Sequence, residues 1–586
     1  MTESIAFMPA TLILTLVSCF LSSQDLKPIP VELKKTNNQW QLIRDGKPYF
    51  VKGAGGDGPL DLLAQCGGNS TRTWGVGPDT MKRLDDAHAM GISVALGIWL
   101  EHESCGFDYQ DYDQVTYQIE KVMAAVRKYK NHPAVLVWGI GNEMEGYQAG
   151  DNPAIWSHVE HLCGLIKKED PHHPTMTVIA EIGGNRIPAI HEFCPSVDII
   201  GINSYGGAAS IPKRYQECGG RKPYIVTEFG PAGPWEVARD NINAVTEPFS
   251  NVKAMKYRDS YLGIVADKSN CLGTYAFLWG QKMEATTTWF GMLLADGRRT
   301  NMVDTMSELW TGARPKNCSP EIDSLKITTP NQVDPGETVV LELAAHDPDD
   351  DSLIVQWQLL PEADAYITAG DYKPNPSPIK DSTIESDSKS VKIKAPSKPG
   401  YYRVYSLVGD GNGSVATANL AFQVKFQPLE RPGIKTALPI VVYDETDSQS
   451  IFDKLAIDET SEDCLIEMDH QQQAKFGQSC IHLNIPANVI TRARLTDQQG
   501  FDLMGAKRLF FWAKGTTGRE SVVVGLGHSV EDTFHKRKSV PLTKFWKKYQ
   551  LDFANSDLRR IGTGFFWELK STGSVTEIYL DRITIE

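Results

Sequence analysis

Two strings in this chain place carboxylates where chemistry is done. Trp138-Gly139-Ile140-Gly141-Asn142-Glu143 and Tyr224-Ile225-Val226-Thr227-Glu228-Phe229-Gly230 are both apolar runs of strand type that reach a glutamate. In a barrel of parallel strands, the end where a buried strand meets its loop carries the catalytic groups. The two glutamates lie 85 positions apart (228 − 143). Converging on one pocket, such a pair can break a glycosidic bond. One carboxylate attacks the anomeric carbon and the other lends a proton to the leaving oxygen, with the groups about 5–5.5 Å apart when configuration is retained. One must be ionised and the other protonated, so their surroundings must differ.

The elements that hold them form a repeating pattern. After an alternating stretch at 31–50, which reads as a hairpin, short apolar runs fall at 50–53, 69–73, 92–98, 134–140, 175–180, 197–202, 223–227 and 273–278. Amphipathic segments lie between several of them. Val115, Ile119, Val122, Met123 and Val126 share one helical face, as do Met81, Leu84, Ala87 and Ala89 before a stop at Gly91, and Trp156, Val159, Leu162, Cys163 and Ile166. Strands alternating with helices imply a parallel sheet, and eight repeats in this length suit a closed (β/α)8 barrel over residues 30–314.

Near Pro315 the helical signal disappears. Short alternating runs separated by turn residues over 320–426 suggest an immunoglobulin- or cadherin-like β-sandwich that acts as a spacer. A proline-bearing linker follows, and 436–586 reads as a jelly roll. The fold class is therefore a multi-domain chain, a (β/α)8 TIM barrel followed by two all-β sandwich domains.

The barrel resembles glycoside hydrolase clan A, in which the fourth strand ends in Asn-Glu and the seventh in Glu. Here the fourth run ends in Asn142-Glu143 and the seventh in Glu228. The resemblance covers residues 40–312 and is nearest to the barrels of families two and five. It implies that Glu143 is the acid/base and Glu228 the nucleophile. At matching positions Arg72 would supply a cation and Tyr205 a hydroxyl to Glu228, while Asn142 would bond the sugar 2-hydroxyl. Trp279, ending the eighth run, would offer a flat floor to a sugar ring. His102, between Glu101 and Glu103, could touch substrate, and Trp74, Trp99 and Trp289 could stack on further sugars. Neither a catalytic metal nor an organic cofactor is expected.

Two features of the later segments carry weaker resemblances. Asp347-Pro348-Asp349-Asp350-Asp351 and Gly409-Asp410-Gly411-Asn412-Gly413 resemble turns of extracellular sandwich modules, some of which bind calcium. The runs 509–515 and 578–583 resemble strands of jelly-roll carbohydrate-binding modules. Alternation puts Phe511 on the face opposite Phe510 and Trp512.

The 586 residues carry a formal net charge of −14, and no basic cluster stands out, so nucleic acid is not an expected partner. The apolar run 11–21 has the size of a signal-peptide core, within a leader of 1–24. Leu16-Val17-Ser18-Cys19 also resembles a lipobox, which would put a lipid anchor on Cys19. Secretion or display at the cell surface is the expectation. The cysteines are scattered without a C-x-x-C motif, and Cys464 and Cys480 could bridge neighbouring strands. The expected activity is that of a retaining β-glycoside hydrolase on an oligosaccharide or polysaccharide of β-glucan or β-mannan type. A transglycosidase using the same pair, and a non-catalytic glycan-binding surface protein, are the alternatives.

Overall fold

The computed structural model describes residues 26–586, except 147–148, 364–365, 367–373, 427–428, 430–432, 445–449, 453, 462, 528–533 and 554–555. The leader expected at 1–24, with its candidate anchor Cys19, lies outside the described residues. Among those described, no helix is long and apolar enough to cross a membrane.

Eight parallel strands close into a barrel: β1 (Val51–Gly55), β2 (Ser70–Arg72), β3 (Ser93–Ile98), β4 (Val135–Ile140), β5 (Thr175–Ile179), β6 (Ile199–Asn203), β7 (Tyr224–Phe229) and β8 (Cys271–Phe277). Each overlaps one of the eight apolar runs. Such runs are mostly apolar because a strand wrapped by helices is buried on both faces, and every residue of β3, β4, β7 and β8 is buried; β2, Ser70-Thr71-Arg72, is buried but polar. The helices between them include Thr80–Ala89, Tyr112–Tyr129 and Pro153–Glu169, and Asp111 caps the second by accepting from the backbone N–H of Asp113 and Gln114. The hairpin that precedes β1 closes one end of the barrel, packing Val31 and Leu42 against Val51, Ala95 and Leu136.

The first sandwich is built from two sheets over a core of Val339, Leu341, Val391, Val404 and Phe422. It is not a detached spacer. Arg299–Thr300 of the barrel's last loop pairs in parallel with its strand Ser414–Val424. Arg403 of the sandwich donates to the carbonyl of Val245 (3.1 Å), and Asn419 Nδ2 donates to Glu247 Oε2 (2.6 Å), both in the barrel's loop after β7. The acidic turns converge, with carboxylate oxygens of Asp347, Asp351 and Asp410 within 4.8 Å of one another.

The last domain stacks two six-stranded sheets around Leu509, Phe511, Phe565 and Trp567. Phe511 is core, and Phe510 and Trp512 face outward beside the cationic groups of Lys548 and Lys475. Cys464 places its Sγ 3.1 Å from Thr491 Oγ1. This domain rests on the barrel's loop after β3 and the helix that follows it: Lys547 pairs with Glu101 (3.4 Å), Phe545 packs on Tyr117, and Trp512 meets Gly106.

Candidate active site

The carboxylate pair lies at the C-terminal end of the barrel, where β4, β6 and β7 stop. Glu143 follows β4 in a left-handed backbone conformation (φ 54°), as does Gly141 (φ 73°). Its N–H donates to the carbonyl of Val178 on β5 (2.8 Å), which ties this unusual turn to the barrel wall. Glu228 lies within β7 and is 5% exposed.

Glu228 is surrounded by donors. Arg72 Nη1 (2.8 Å) and Trp74 Nε1 (2.7 Å) donate to its Oε1, and the Tyr205 hydroxyl donates to its Oε2 (2.6 Å). A carboxylate that meets donors alone is fitted to the ionised, acceptor-only form. Arg72 is 3% exposed and so forms a buried ion pair. Its second nitrogen donates to Asn142 Oδ1 (2.6 Å). Asn203 then donates to both Asn142 Oδ1 (3.2 Å) and Glu143 Oε1 (2.6 Å). The chain Glu228–Arg72–Asn142–Asn203–Glu143 is unbroken, so the two glutamates share one rigid network.

Glu143 keeps part of its surface open to the cleft, but its carboxyl is enclosed. Burial first, and then the charge of Glu228, hold its pKa well above the usual carboxylate range. Burial and the charge of Glu228 likewise raise the Tyr205 hydroxyl, keeping it a donor. The pair is thus split into an ionised and a protonated member, which is the division that acid-assisted attack on an acetal requires.

Other expected contacts fall elsewhere. Trp279 is wholly buried, its Nε1–H donated to the carbonyl of Pro59 (2.8 Å), so it offers no floor to a sugar. Close approach of its ring to Gly58, where a Cβ would lie 2.7 Å from Cδ1, turns it into the barrel wall. Trp289 is also core, donating to the carbonyl of Ala232 (3.0 Å). Trp99, in contrast, is 41% exposed and stacks on His102 (centroids 5.0 Å apart, 7° between planes). His102 sits beside the backbone of Asn142, and burial pushes its pKa down. Its neighbours turn away from it, Glu101 to Lys547 and Glu103 to Asn152.

Two site residues, Asn203 and Trp235, carry no role in the sequence reading, and a third, Trp74, carries a different one. Asn203 ends β6 two positions before Tyr205, a spacing that puts both on one side of an extended segment. The Trp74 N–H meets Glu228, though type alone marks that residue only as an aromatic platform. Trp235 is 48% exposed and stands edge-on to Tyr205 (5.7 Å, 84°), on a loop with no periodic signal.

An eight-stranded parallel barrel with Asn-Glu after its fourth strand and Glu on its seventh is the arrangement of clan A glycosidase barrels. Residues 80–234 match the family model described as "Glycosyl hydrolases family 2, TIM barrel domain". Among characterised proteins, the chain is 28% identical over 242 residues to a β-glucuronidase of Streptococcus agalactiae, covering 34% of this chain and 39% of that one. It is 25% identical over 202 residues to the β-glucuronidase of Homo sapiens, covering 31% and 29%. These matches therefore span well under half of the relatives' own length. The crystal structure of a Bacteroides uniformis β-glucuronidase aligns over 94% of this chain and 67% of that one, at 12% identity and a TM-score of 0.38.

Proposed function

We propose that the chain is a retaining β-glycoside hydrolase working by double displacement. Glu228 attacks the anomeric carbon while Glu143 gives its proton to the departing glycosidic oxygen, leaving a glycosyl ester on Glu228. Glu143, now a carboxylate, takes a proton from water as that water attacks the same carbon and releases Glu228. Asn142, fixed by Arg72 and Asn203, is positioned to bond the sugar 2-hydroxyl. The observation that carries this reading is the linked pair itself, with three donors on Glu228 and an elevated pKa on Glu143.

The substrate we infer is a neutral β-linked oligosaccharide or polysaccharide of glucan or mannan type. Among the described residues, cations near the pair are each matched by an acid: Arg72 with Glu228, Arg186 with Glu145 (2.8 Å), Arg214 with Glu181 (2.9 Å) and Lys282 with Glu284 (2.7 Å). A pocket so balanced favours a neutral ring over a uronate. Assay of aryl β-glucosides, β-mannosides and β-glucuronides beside glucan and mannan polymers tests the choice. Turnover confined to glucuronides would reverse the substrate assignment while leaving the mechanism. For the mechanism, Glu228→Gln should abolish turnover with the fold intact. Glu143→Ala should slow poor leaving groups by about 10²–10⁴-fold and activated aryl glycosides less, with partial recovery in azide. Near-normal activity of Glu228→Gln would end the proposal.

A further inference from the structure

The outer face of the C-terminal sandwich holds a second cluster of chemistry-bearing side chains, remote in kind from the glutamate pair. Glu467 and His470 lie on the strand Leu465–His470, and His482 lies on Cys480–Ile485. The strands run antiparallel with Glu467 directly opposite His482. Glu467 Oε2 is 2.8 Å from His470 Nδ1 and 2.8 Å from His482 Nδ1. One potential ligand atom from each residue lies within 4.8 Å of the others. We propose that Glu467, His470 and His482 bind one divalent transition-metal ion of the zinc class.

Two observations point to a metal. The first is orientation. His482 is 5% exposed, lies flat against Tyr579 (4.8 Å, 13°) and sets its other nitrogen, Nε2, 2.8 Å from Glu577 Oε1. Glu577 Oε1 also accepts from the Tyr579 hydroxyl (3.0 Å). An imidazole that donates one N–H to a fixed carboxylate and presents its other nitrogen to a shared point is the arrangement found behind metal-bound histidines. The second is spacing. Ligand atoms bonded at about 2.0–2.1 Å to one zinc ion stand roughly 2.8–3.4 Å apart, according to coordination number. Both measured edges, at 2.8 Å, fall at the short end of that range. Two imidazoles and a carboxylate favour zinc, nickel or copper over calcium or magnesium.

The site has a structural use. The strand Leu465–His470 is the outermost strand of its sheet. Exposed edges of this kind need pinning or covering. A metal bridging it to Cys480–Ile485 would staple the edge in register. Glu467 and His470 are partly exposed, which leaves an entry path for the ion.

The test uses the full chain stripped with chelator and titrated with zinc chloride by calorimetry, with Co²⁺ absorption reporting the ligand field. One equivalent should bind, and the melting temperature of the C-terminal domain should rise with zinc concentration. His470→Gln and Glu467→Gln, at partly exposed positions, should keep the fold by circular dichroism and lose at least tenfold in affinity. Glu577→Gln, which retains an acceptor for His482, should weaken binding by about 10–100-fold. No saturable uptake below about 100 μM, or equal uptake by wild type and His470→Gln, would overturn the proposal. The cluster would then be a hydrogen-bonded array and nothing more.

Discussion

Glu143 combines three features that seldom coincide: a left-handed backbone, an enclosed carboxyl and a like charge in range. A non-glycine residue held there stores on the order of 1–3 kcal/mol, which the surrounding structure must offset. The raised pKa also has a consequence for stability. Below about pH 4, folded and unfolded chains both hold this proton, and Glu143 costs nothing. As pH rises, the unfolded chain releases it first, so stability falls until the folded group ionises as well. We therefore expect Glu143→Gln to melt with wild type near pH 4 and progressively above it toward pH 8. Melting curves across that range check the sign, and a constant offset would show that charge burial is not the cause. In activity, the same group should set the alkaline limb for poor leaving groups, above the usual carboxylate range.

At the scale of elements, the strand ends decide which side chains reach the cleft. Trp279 and Trp235 are the same residue type on neighbouring loops, but one is wall and the other is rim. Trp279→Ala should cost about 3–5 kcal/mol, as removal of a buried aromatic does, and lower the melting temperature accordingly. Trp235→Ala should leave melting unchanged and raise KM for oligosaccharides about 3–10-fold, the worth of one ring stacked on a sugar. If Trp235→Ala melted early with KM unaltered, its exposed face would not be a sugar platform. This contrast also marks the reach of the sequence. Most of the runs were legible because strands buried on both faces are rich in apolar residues, although Ser70-Thr71-Arg72 is buried and polar, and the glutamates were legible because they end two of those runs. The rotation of Trp279 was not, since it is set by Gly56 and Gly58 more than 200 positions away in the chain (279 − 58 = 221). Asn203 was overlooked for a related reason. Its partner Glu143 is 60 positions distant, and no local pattern joins them.

Across the whole molecule, the boundary between barrel and first sandwich is sealed by buried charge. Lys253, with no exposed surface, donates to Glu247 Oε1 (2.6 Å), and Glu247 Oε2 accepts from Asn419 of the sandwich. Arg403, equally deep, forms an ion pair with Glu362 (2.7 Å) and reaches back to the Val245 carbonyl. Composition and turn spacing suggested a spacer, because they report strands but not what the strands rest upon. A tether would leave the barrel indifferent to its loss, whereas here Glu247 Oε2, which also accepts from Thr286 and Thr288, would lose a donor in a dry setting. Asn419→Leu, which keeps the size and removes the donor, should therefore destabilise the barrel by about 1–3 kcal/mol. Heat inactivation should move down with it, although residue 419 belongs to another domain. Calorimetry alongside residual activity makes the comparison, with barrel and first sandwich melting as one unit. A chain ended at residue 315 that kept the full-length barrel's inactivation temperature would show the seal to be dispensable. We expect instead that such a chain loses its fold at a markedly lower temperature, because a buried lysine–glutamate pair tolerates neither water at one side nor a missing partner at the other.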